Sequence, residues 1–463
     1  MKNKWLKPSV LILLVLFAVL GWNKYYAKID SEAILAHSEL KDKKFASKVQ
    51  VIKADNLTAY FLEEHSNQII SVSFLFKNAG SAYEPEDKMG LTSILESMLL
   101  NGTAKYDAIS FKDISEEYGI HIDFSASDDS FGGSMQMPSA YKDKAVELFT
   151  QVLYSPSFDA KYMDLTKAQL QHIIKRGKEK IDVVLNNAFA ATIFGSHPYG
   201  RPYIGTLETV EAVSSDDLRM FMHDYFTNQN IIIGIAGDLT AEGARNLLKE
   251  MFGGLATEFK AGPLEKVELH TTGTQHNVPQ NFAQAMTHFV TMGTSRKSED
   301  FYPLYIANYI FGGSGLNSRI SQVVREENGL TYGIYTYLSF SDAIPLLSGG
   351  YSATPENFAK ARDLLLAEWQ KMAEKGVTAQ ELEQAKQAMI ASHNLRFASI
   401  GGISDMLVAM QQYELGKDFF DKRNDYIKSV TLKQVNAAAR KYFKNVPDFV
   451  NVGTQEISEK EKN

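Results

Sequence analysis

Cysteine is absent from this chain of 463 residues. Its absence excludes disulfide bonds, thiolate metal ligands, cysteine nucleophiles and a lipid-anchored cysteine. Histidine is present but not clustered. The ten histidines are scattered, and no two of them stand three to five residues apart, as a pair of zinc ligands on one helix would. Any metal bound by this chain would need isolated histidines or carboxylates.

A positively charged surface field is also lacking. The net charge is -7, the pI is near 5.9, and no cluster of Lys and Arg is interleaved with aromatic residues. Nucleic acid is therefore not an expected partner. With 44% apolar and 22% charged residues the composition is that of a folded protein, and its length predicts two domains.

The chain has no apolar run of the roughly 20 residues that a transmembrane helix needs. Its clearest run, Val10 to Trp22, follows three lysines and would be roughly 20 Å long as a helix, against a hydrocarbon thickness of about 30 Å. A short, lysine-flanked run is typical of an export signal, here residues 1–27, although no convincing cleavage site follows. We expect an exported, periplasmic protein, anchored to the inner membrane by residues 10–22 if the signal stays uncleaved. A buried N-terminal helix and mitochondrial import are less favoured.

The two halves of the chain repeat one another. A strand-like run, a glycine, an acidic pair and an apolar helix follow in the same order, with Gly80 and Asp87 each matched 213 residues later. Four further pairs share an offset of 217: Ala168 and Ala385, Val213 and Val430, Tyr225 and Tyr442, Phe226 and Phe443. We predict two homologous domains, residues 48–256 and 283–460, joined by a polar linker, residues 257–282. Because strands and helices do not alternate regularly, α+β domains with mainly antiparallel sheets are expected.

Residues 90–103 of the first half read Gly-Leu-Thr-Ser-Ile-Leu-Glu-Ser-Met-Leu-Leu-Asn-Gly-Thr. This segment resembles the active helix of the pitrilysin and insulinase-like zinc metallopeptidases, the inverzincins, whose pattern is G-L-x-H-x-x-E-H-x-L followed by G-T. In that family the two histidines bind zinc and the glutamate polarises the metal-bound water. Here Ser93 and Ser97 stand at the histidine positions, and Glu96 remains.

The resemblance also implies where a third zinc ligand would stand. The family has a glutamate on a later helix, ahead of a turn that here reads His197-Pro198-Tyr199-Gly200, but the matching segment Thr166 to Arg176 contains no carboxylate. Serine hydroxyls are poor zinc ligands. We therefore expect no zinc or other cofactor in this chain, a structural rather than a catalytic role for Glu96, and a turn role for His197.

In the second half, residues 325–332 read Arg-Glu-Glu-Asn-Gly-Leu-Thr-Tyr and resemble the family segment R-x-x-x-G-L-x-Y. In the family this Arg and Tyr close over the substrate from the domain opposite the zinc, which implies that role for Arg325 and Tyr332. Guanidinium and phenol are both hydrogen-bond donors suited to an oxyanion. The alternative is that Arg325 pairs with Glu326 and that Tyr332 is an ordinary strand aromatic. Arg319, in the preceding glycine-rich segment, is left outside the predicted site.

Taken together, the resemblance implies a non-catalytic subunit of a heterodimeric zinc metallopeptidase. The partner would carry the H-x-x-E-H helix and the zinc, while this chain would form half of a clam-shell chamber, bind peptide substrate and supply Arg325 and Tyr332. The alternative is a non-enzymatic structural or chaperone-like subunit of an envelope complex. An independent enzyme of another class is disfavoured, because no phosphate loop, dinucleotide fingerprint or Gly-x-Ser-x-Gly elbow is found.

Overall fold

The computed structural model describes residues 48–393, 397 and 399–454. The predicted export signal lies outside these residues. Among the helices that are described, none combines the length and the apolar character needed to cross a bilayer.

Runs of β-branched and aromatic residues in the first half form a six-stranded sheet. Its strands are β1 (Val49–Ala54), β2 (Leu57–Glu63), β3 (Ile69–Lys77), β4 (His121–Ala126), β5 (Ser130–Pro138) and β6 (Ile231–Gly237). They lie in the order β1-β2-β6-β3-β5-β4, and every neighbouring pair is antiparallel except β2 and β6. The strand β4 is therefore an edge strand.

The second half forms a five-stranded sheet. Its strands are β7 (Gln275–Val278), β8 (Ala285–Met292), β9 (Ile334–Phe340), β10 (Pro345–Ala353) and β11 (Asp448–Val452). They lie in the order β7-β11-β8-β10-β9, with β7 and β11 parallel and the other pairs antiparallel. The predicted α+β class with mainly antiparallel sheets is confirmed. The predicted linker, residues 257–282, contains β7.

Helices pack against both sheets. In the first half they are α1 (Leu91–Met98), α2 (Ala108–Glu117), α3 (Lys142–Tyr154), α4 (Ala160–Gly177), α5 (Ile181–Phe194), α6 (Leu207–Ala212), α7 (Ser215–Tyr225) and α8 (Ala241–Phe252). In the second half they are α9 (Phe301–Asn308), α10 (Pro355–Lys375), α11 (Ala379–His393), α12 (Ile400–Gln412), α13 (Phe419–Ser429) and α14 (Leu432–Tyr442). The second half also contains two π-helical turns, residues 309–313 and 321–327, which lie between α9 and β9.

The internal repeat is visible in the backbone. Gly237 ends β6 with φ of 127°, and Gly453, which stands 216 residues later and follows β11, has φ of 80°. A Cβ atom on Gly237 would stand 2.2 Å from the carbonyl oxygen of Ile69, and one on Gly453 would stand 2.3 Å from that of Gln284. Both positions therefore require glycine for the same reason, a left-handed turn against the neighbouring strand.

Each half has its own apolar core on one face of its sheet. In the first core the ring of Phe74 makes edge contacts with Phe149 and Phe252, each with centroids 5.4 Å apart. In the second core Trp369 packs against Phe311 and Phe443. Side chains alternate along β3, so Phe74 and its apolar neighbours point into the first core, and the serines of β3 point to the opposite face of the sheet.

The opposite face of each sheet is covered by a helix from the other half. The helix α5 packs on the second sheet, where Leu185 is buried against Val450 and Val452 of β11. The helix α12 packs on the first sheet, where the Oγ of Ser404 lies 2.9 Å from that of Ser71 and 2.8 Å from that of Ser73. Because α5 and α12 occupy matching places in the repeat, the two halves exchange equivalent helices.

Candidate functional site

The degenerate motif forms α1 as predicted, and its start depends on a residue outside the motif. Gly90 precedes the helix with φ of 91° and offers no side-chain cap. The buried carboxylate of Glu84 takes over this role. Its Oε2 accepts the N–H of Gly90 at 2.7 Å, and its Oε1 accepts both the N–H and the hydroxyl of Thr92 at 2.6 Å. Glu84 therefore satisfies the first free N–H groups of α1.

Glu84 gives this helix a pH-dependent stability. Burial raises the pKa of the Glu84 carboxyl to about 7, against opposing hydrogen bonds from Thr92 and Gly90. A folded-state pKa above the unfolded one contributes stability below pH about 4.5 that is lost as pH rises through 7. Glu84→Gln lacks this titration, so the unfolding free energy of the wild type minus that of the variant should fall by roughly 2 kcal/mol between pH 5 and 8.

Urea unfolding at the two pH values measures this difference. The matched control is Glu86→Gln, which removes an exposed carboxylate two residues away in a short turn. A difference, wild type minus Glu84→Gln, that rises with pH would contradict the assignment.

The two serines lie one turn apart on α1, as the spacing predicts. Ser93 is buried, and Ser97 donates its hydroxyl to the carbonyl oxygen of Ser93 at 3.1 Å. The Ser97 hydroxyl is therefore bound to the backbone of its own helix. A divalent cation would find two hydroxyls here, one of them already engaged with the backbone, instead of two imidazoles.

Glu96 supports the end of the edge strand β4. Its Oε2 accepts the N–H of Ala126, the last residue of β4, at 3.3 Å. The hydroxyl of Tyr203 donates to the carbonyl oxygen of the same residue at 2.8 Å, and burial, helped by the charge of Glu96, raises the pKa of Tyr203. Both backbone groups of Ala126 are therefore satisfied by side chains. This geometry gives Glu96 a structural contact.

The helix α4, which packs on α1, supplies no acidic ligand to this place. Its buried Thr166 donates instead to the sulfur of Met98 at 3.4 Å. The helix begins before the predicted segment and includes Asp164, which is exposed. Within residues 48–393, 397 and 399–454 there is no group of three or more residues that could hold a metal ion. The residues of α1 and α4 do not fit a zinc site.

Arg325 and Tyr332 flank one loop of the second half, and both are accessible. Arg325 lies in the π-helical turn 321–327 and pairs through Nη1 with Glu326 Oε1 at 2.9 Å. This is the contact of the alternative interpretation. The two side chains are 31% and 49% exposed, and such exposed pairs contribute about 0–1 kcal/mol, so the pair does not prevent Arg325 from binding another acceptor.

Tyr332 projects from the loop before β9 with 85% of its surface exposed. The backbone around it is fixed, because the Thr331 hydroxyl donates to the carbonyl oxygens of Gly333 and Ser352 at 2.9 and 2.6 Å and accepts the N–H of Gly333 at 3.1 Å. A tyrosine normally buries much of its ring. A ring held this far into solvent on a fixed loop is suited to contact a partner molecule.

Two further exposed tyrosines were not predicted as site residues. Tyr335 and Tyr337 are 44% and 46% exposed on the edge strand β9, with their rings stacked at a centroid distance of 6.2 Å. Burial of the remainder raises the pKa of each. Their spacing of two residues could have indicated them, because residues two apart in a strand lie on the same face of the sheet.

Arg319, which was left outside the predicted site, pairs with a carboxylate of α11. Its Nε and Nη2 donate to the two oxygens of Glu381 at 2.6 and 2.7 Å. Burial opposes ionisation of Glu381, yet the hydrogen bonds from Arg319 and Thr378 lower its pKa to about 2. Arg319 thereby joins the glycine-rich segment to α11.

The turn His197–Gly200 lies where the two halves meet. His197 accepts the N–H of Tyr199 at 3.2 Å, so it is a turn residue as expected. The hydroxyl of Tyr199 donates to Asp129 in the first half and accepts the N–H of Ala343 in the second at 3.1 Å. Tyr199 therefore bridges the hairpin turns β4–β5 and β9–β10, a role the sequence did not reveal.

The sequence of this chain matches the models of a known protein family. Residues 60–207 match the model described as Insulinase (Peptidase family M16), and residues 212–389 match the one described as Peptidase M16 inactive domain. The chain is a two-domain member of peptidase family M16.

Some relatives of this chain are named as zinc proteases and another as a non-peptidase homologue. A Bacillus subtilis protein named "Uncharacterized zinc protease YmxG" is 26% identical over 372 residues, covering 79% of this chain and 88% of the relative. A Helicobacter pylori protein named "Non-peptidase homolog YmxG" is 21% identical over 388 residues, covering 84% and 89%. The crystal structure of a peptidase M16 inactive domain from Pseudomonas fluorescens matches with a TM-score of 0.82 at 22% identity, covering 88% of this chain and 98% of that one. Together with the serines of α1, these matches are consistent with a non-catalytic member of the family.

Proposed function

We propose that this chain is the non-catalytic subunit of a heterodimeric zinc metallopeptidase. The partner carries the H-x-x-E-H helix and the zinc, and this chain binds peptide substrate and supplies Arg325 and Tyr332 to the partner's active site. The exposure of Tyr332 on a fixed loop, in a chain whose own α1 has lost the zinc ligands, is the observation that carries the proposal.

The chemistry of the two side chains suits this role. A peptide bond under attack by a metal-bound water develops negative charge on its carbonyl oxygen, and preorganised donors stabilise that charge in a site closed to water. The guanidinium of Arg325 and the phenol of Tyr332 are such donors, and neither needs a metal in the same chain. Closure by the partner is required, because in isolation the Tyr332 ring is surrounded by solvent.

The wider setting belongs to the proposal. Two domains from each subunit enclose one chamber, in which unstructured peptides are cut. The complex works in the periplasm, and the N-terminal segment provides its only membrane attachment when uncleaved. Nucleic acid has no part in it.

Co-expression with an H-x-x-E-H homologue tests the proposal. We expect the two chains to purify together and to cleave an unstructured peptide that neither chain cleaves alone. A complex that forms but shows no peptidase activity above that of the partner alone would instead favour the structural or chaperone-like role.

Metal content gives an independent prediction. The purified chain alone should contain no stoichiometric zinc, because Ser93 and Ser97 replace the imidazole ligands and the segment Thr166 to Arg176 of α4 contains no carboxylate. Elemental analysis by mass spectrometry measures this directly, with the H-x-x-E-H homologue as the positive control. One zinc per chain would overturn the proposal.

A further inference from the structure

Exposed aromatic surface is concentrated on one short segment of the second half. Three tyrosines within residues 332–337 are exposed, Tyr332 to 85%, Tyr335 to 44% and Tyr337 to 46%. The strand β9, which carries the second and third of them, begins two residues after Tyr332. Single exposed apolar side chains are ordinary, whereas contiguous exposed aromatic side chains are typical of binding surfaces. Tyr335 and Tyr337 therefore extend the accessible surface around Tyr332.

The rings of Tyr335 and Tyr337 lie across the neighbouring strand β10. Tyr335 pairs with Gly350, and a Cβ atom added to Gly350 would stand 3.2 Å from the Tyr335 hydroxyl. Tyr337 pairs with Ser348. Burial raises the pKa of Tyr337 and the Ser348 side chain opposes that rise, so these two side chains are neighbours. Strand side chains otherwise stand roughly perpendicular to the sheet, so a tyrosine hydroxyl reaches the next strand only when its ring leans over that strand.

Together the two rings form a tyrosine platform, Tyr335 and Tyr337, with one open face. Their planes are inclined by 24° and their centroids are 6.2 Å apart, so the rings are nearly parallel. The small residues Ser348 and Gly350 lie beneath them, and the other face of each ring is left to solvent. No strand of the described residues pairs with the outer side of β9, which is the edge of its sheet. The platform is therefore open both above and at its side.

The spacing of the platform fits an extended peptide. Side chains two residues apart in an extended chain point to the same side and are about 6.6–6.8 Å apart, close to the 6.2 Å between the tyrosine rings. Adjacent side chains point to opposite sides, so a peptide with rings on neighbouring residues places only one of them on the platform. Aromatic rings are the favoured occupants, because stacked and edge-to-face ring pairs contribute more than their buried area alone.

We propose that the tyrosine platform selects extended peptide segments in which two aromatic side chains are separated by one residue. Each of these rings packs on one tyrosine of the platform. The inference rests on the proposed function for the kind of ligand, a peptide, and it adds a preference for side chains. The donors of Arg325 and Tyr332 act on backbone carbonyl groups and do not supply such a preference. Tyr335 and Tyr337 are thus specificity-determining residues and take no part in the chemical step.

Fluorescence anisotropy of the full chain with two labelled decapeptides tests the preference. The decapeptides have the same composition and differ only in one central segment, Phe-Ala-Phe in the first and Phe-Phe-Ala in the second. The first should bind at least about fivefold more tightly, because only this peptide places both rings on the platform. The measurement needs no catalysis. A preference of this size beside a complex without peptidase activity would contradict the proposed function alone, and equal affinities beside normal turnover would contradict this inference alone.

Two variants assign the preference to the platform. Tyr335→Leu and Tyr337→Leu each leave one ring, so each should bring the affinity ratio of the two decapeptides to about one. The matched control is Tyr141→Leu. Tyr141 stands just before α3, is 43% exposed and also contacts a second tyrosine ring, that of Tyr118 at 5.0 Å. Its replacement should leave the ratio unchanged, and thermal melts verify the folding of each variant. Equal or undetectable binding of the two decapeptides to the wild type, or a preference that survives in both platform variants, overturns the proposal.

Discussion

Replacing Arg325 with alanine is expected to lower peptide turnover by the complex about 100-fold. The loss should appear in kcat more than in KM, because a donor aimed at a developing oxyanion acts mainly in the transition state. Tyr332→Phe removes only the hydroxyl and should cause a loss of the same order. Steady-state kinetics with an unstructured fluorogenic peptide, on complex purified with the H-x-x-E-H partner, measure both effects.

The chain offers a close control for Arg325. Arg362 also pairs with an acid one residue on, Asp363, at 3.0 Å, and its side chain is 30% exposed, against 31% for Arg325. Arg362→Ala removes the same charge and the same kind of ion pair on α10, and turnover should not change. If Arg325→Ala and Arg362→Ala behave alike, Arg325 has no part in the reaction.

Gly234→Val is expected to release α12 from the first sheet and to lower the free energy of unfolding by about 3 kcal/mol or more. A Cβ atom on Gly234 would stand 2.3 Å from the carbonyl oxygen of Ser404 and 2.9 Å from the Cβ of Leu407. Valine itself favours a strand, so the loss comes from the helix contact and not from β6. Hydrogen exchange should show faster amide exchange along α12 than in the wild type.

Gly401→Ala is the matched control, because Gly401 lies in α12 and faces the same sheet. The nearest atom to its added Cβ is the Ser71 Oγ at 4.0 Å, an ordinary contact distance, and alanine also favours the helix. Stability and exchange should match or exceed the wild type. Unaltered protection of α12 in Gly234→Val would show that the exchanged helix does not depend on this close approach.

Much of the secondary structure was predictable from local patterns. The alternating run Ile334 to Phe340 forms β9, and the helically spaced apolar residues of the segment 358–373 lie within α10. The strand β7 was missed, because Gln-His-Asn-Val has no apolar period and becomes a strand by pairing with β11. A strand defined mainly by its neighbour carries little local signal.

The candidate site was predictable only in part. The serines of α1 and the Arg325/Tyr332 segment were visible as departures from, or agreements with, a family pattern. The partners that explain them were not: Glu96 meets Ala126 across 30 residues, and Glu84 caps α1 from outside the motif. Such contacts follow from how sheet and helix pack, and neither composition nor periodicity encodes them.

The residue sequence places serine at both positions of α1 where the family pattern has a histidine, and the identity of a side chain decides whether it can coordinate a metal. It also determined the repeat, because equivalent turns such as those at Gly237 and Gly453 need the same residue type in both halves. The exchange of α5 and α12 between the halves, by contrast, is visible only once the chain is folded. That exchange depends on two sheet faces being brought together, and no stretch of chain specifies it locally.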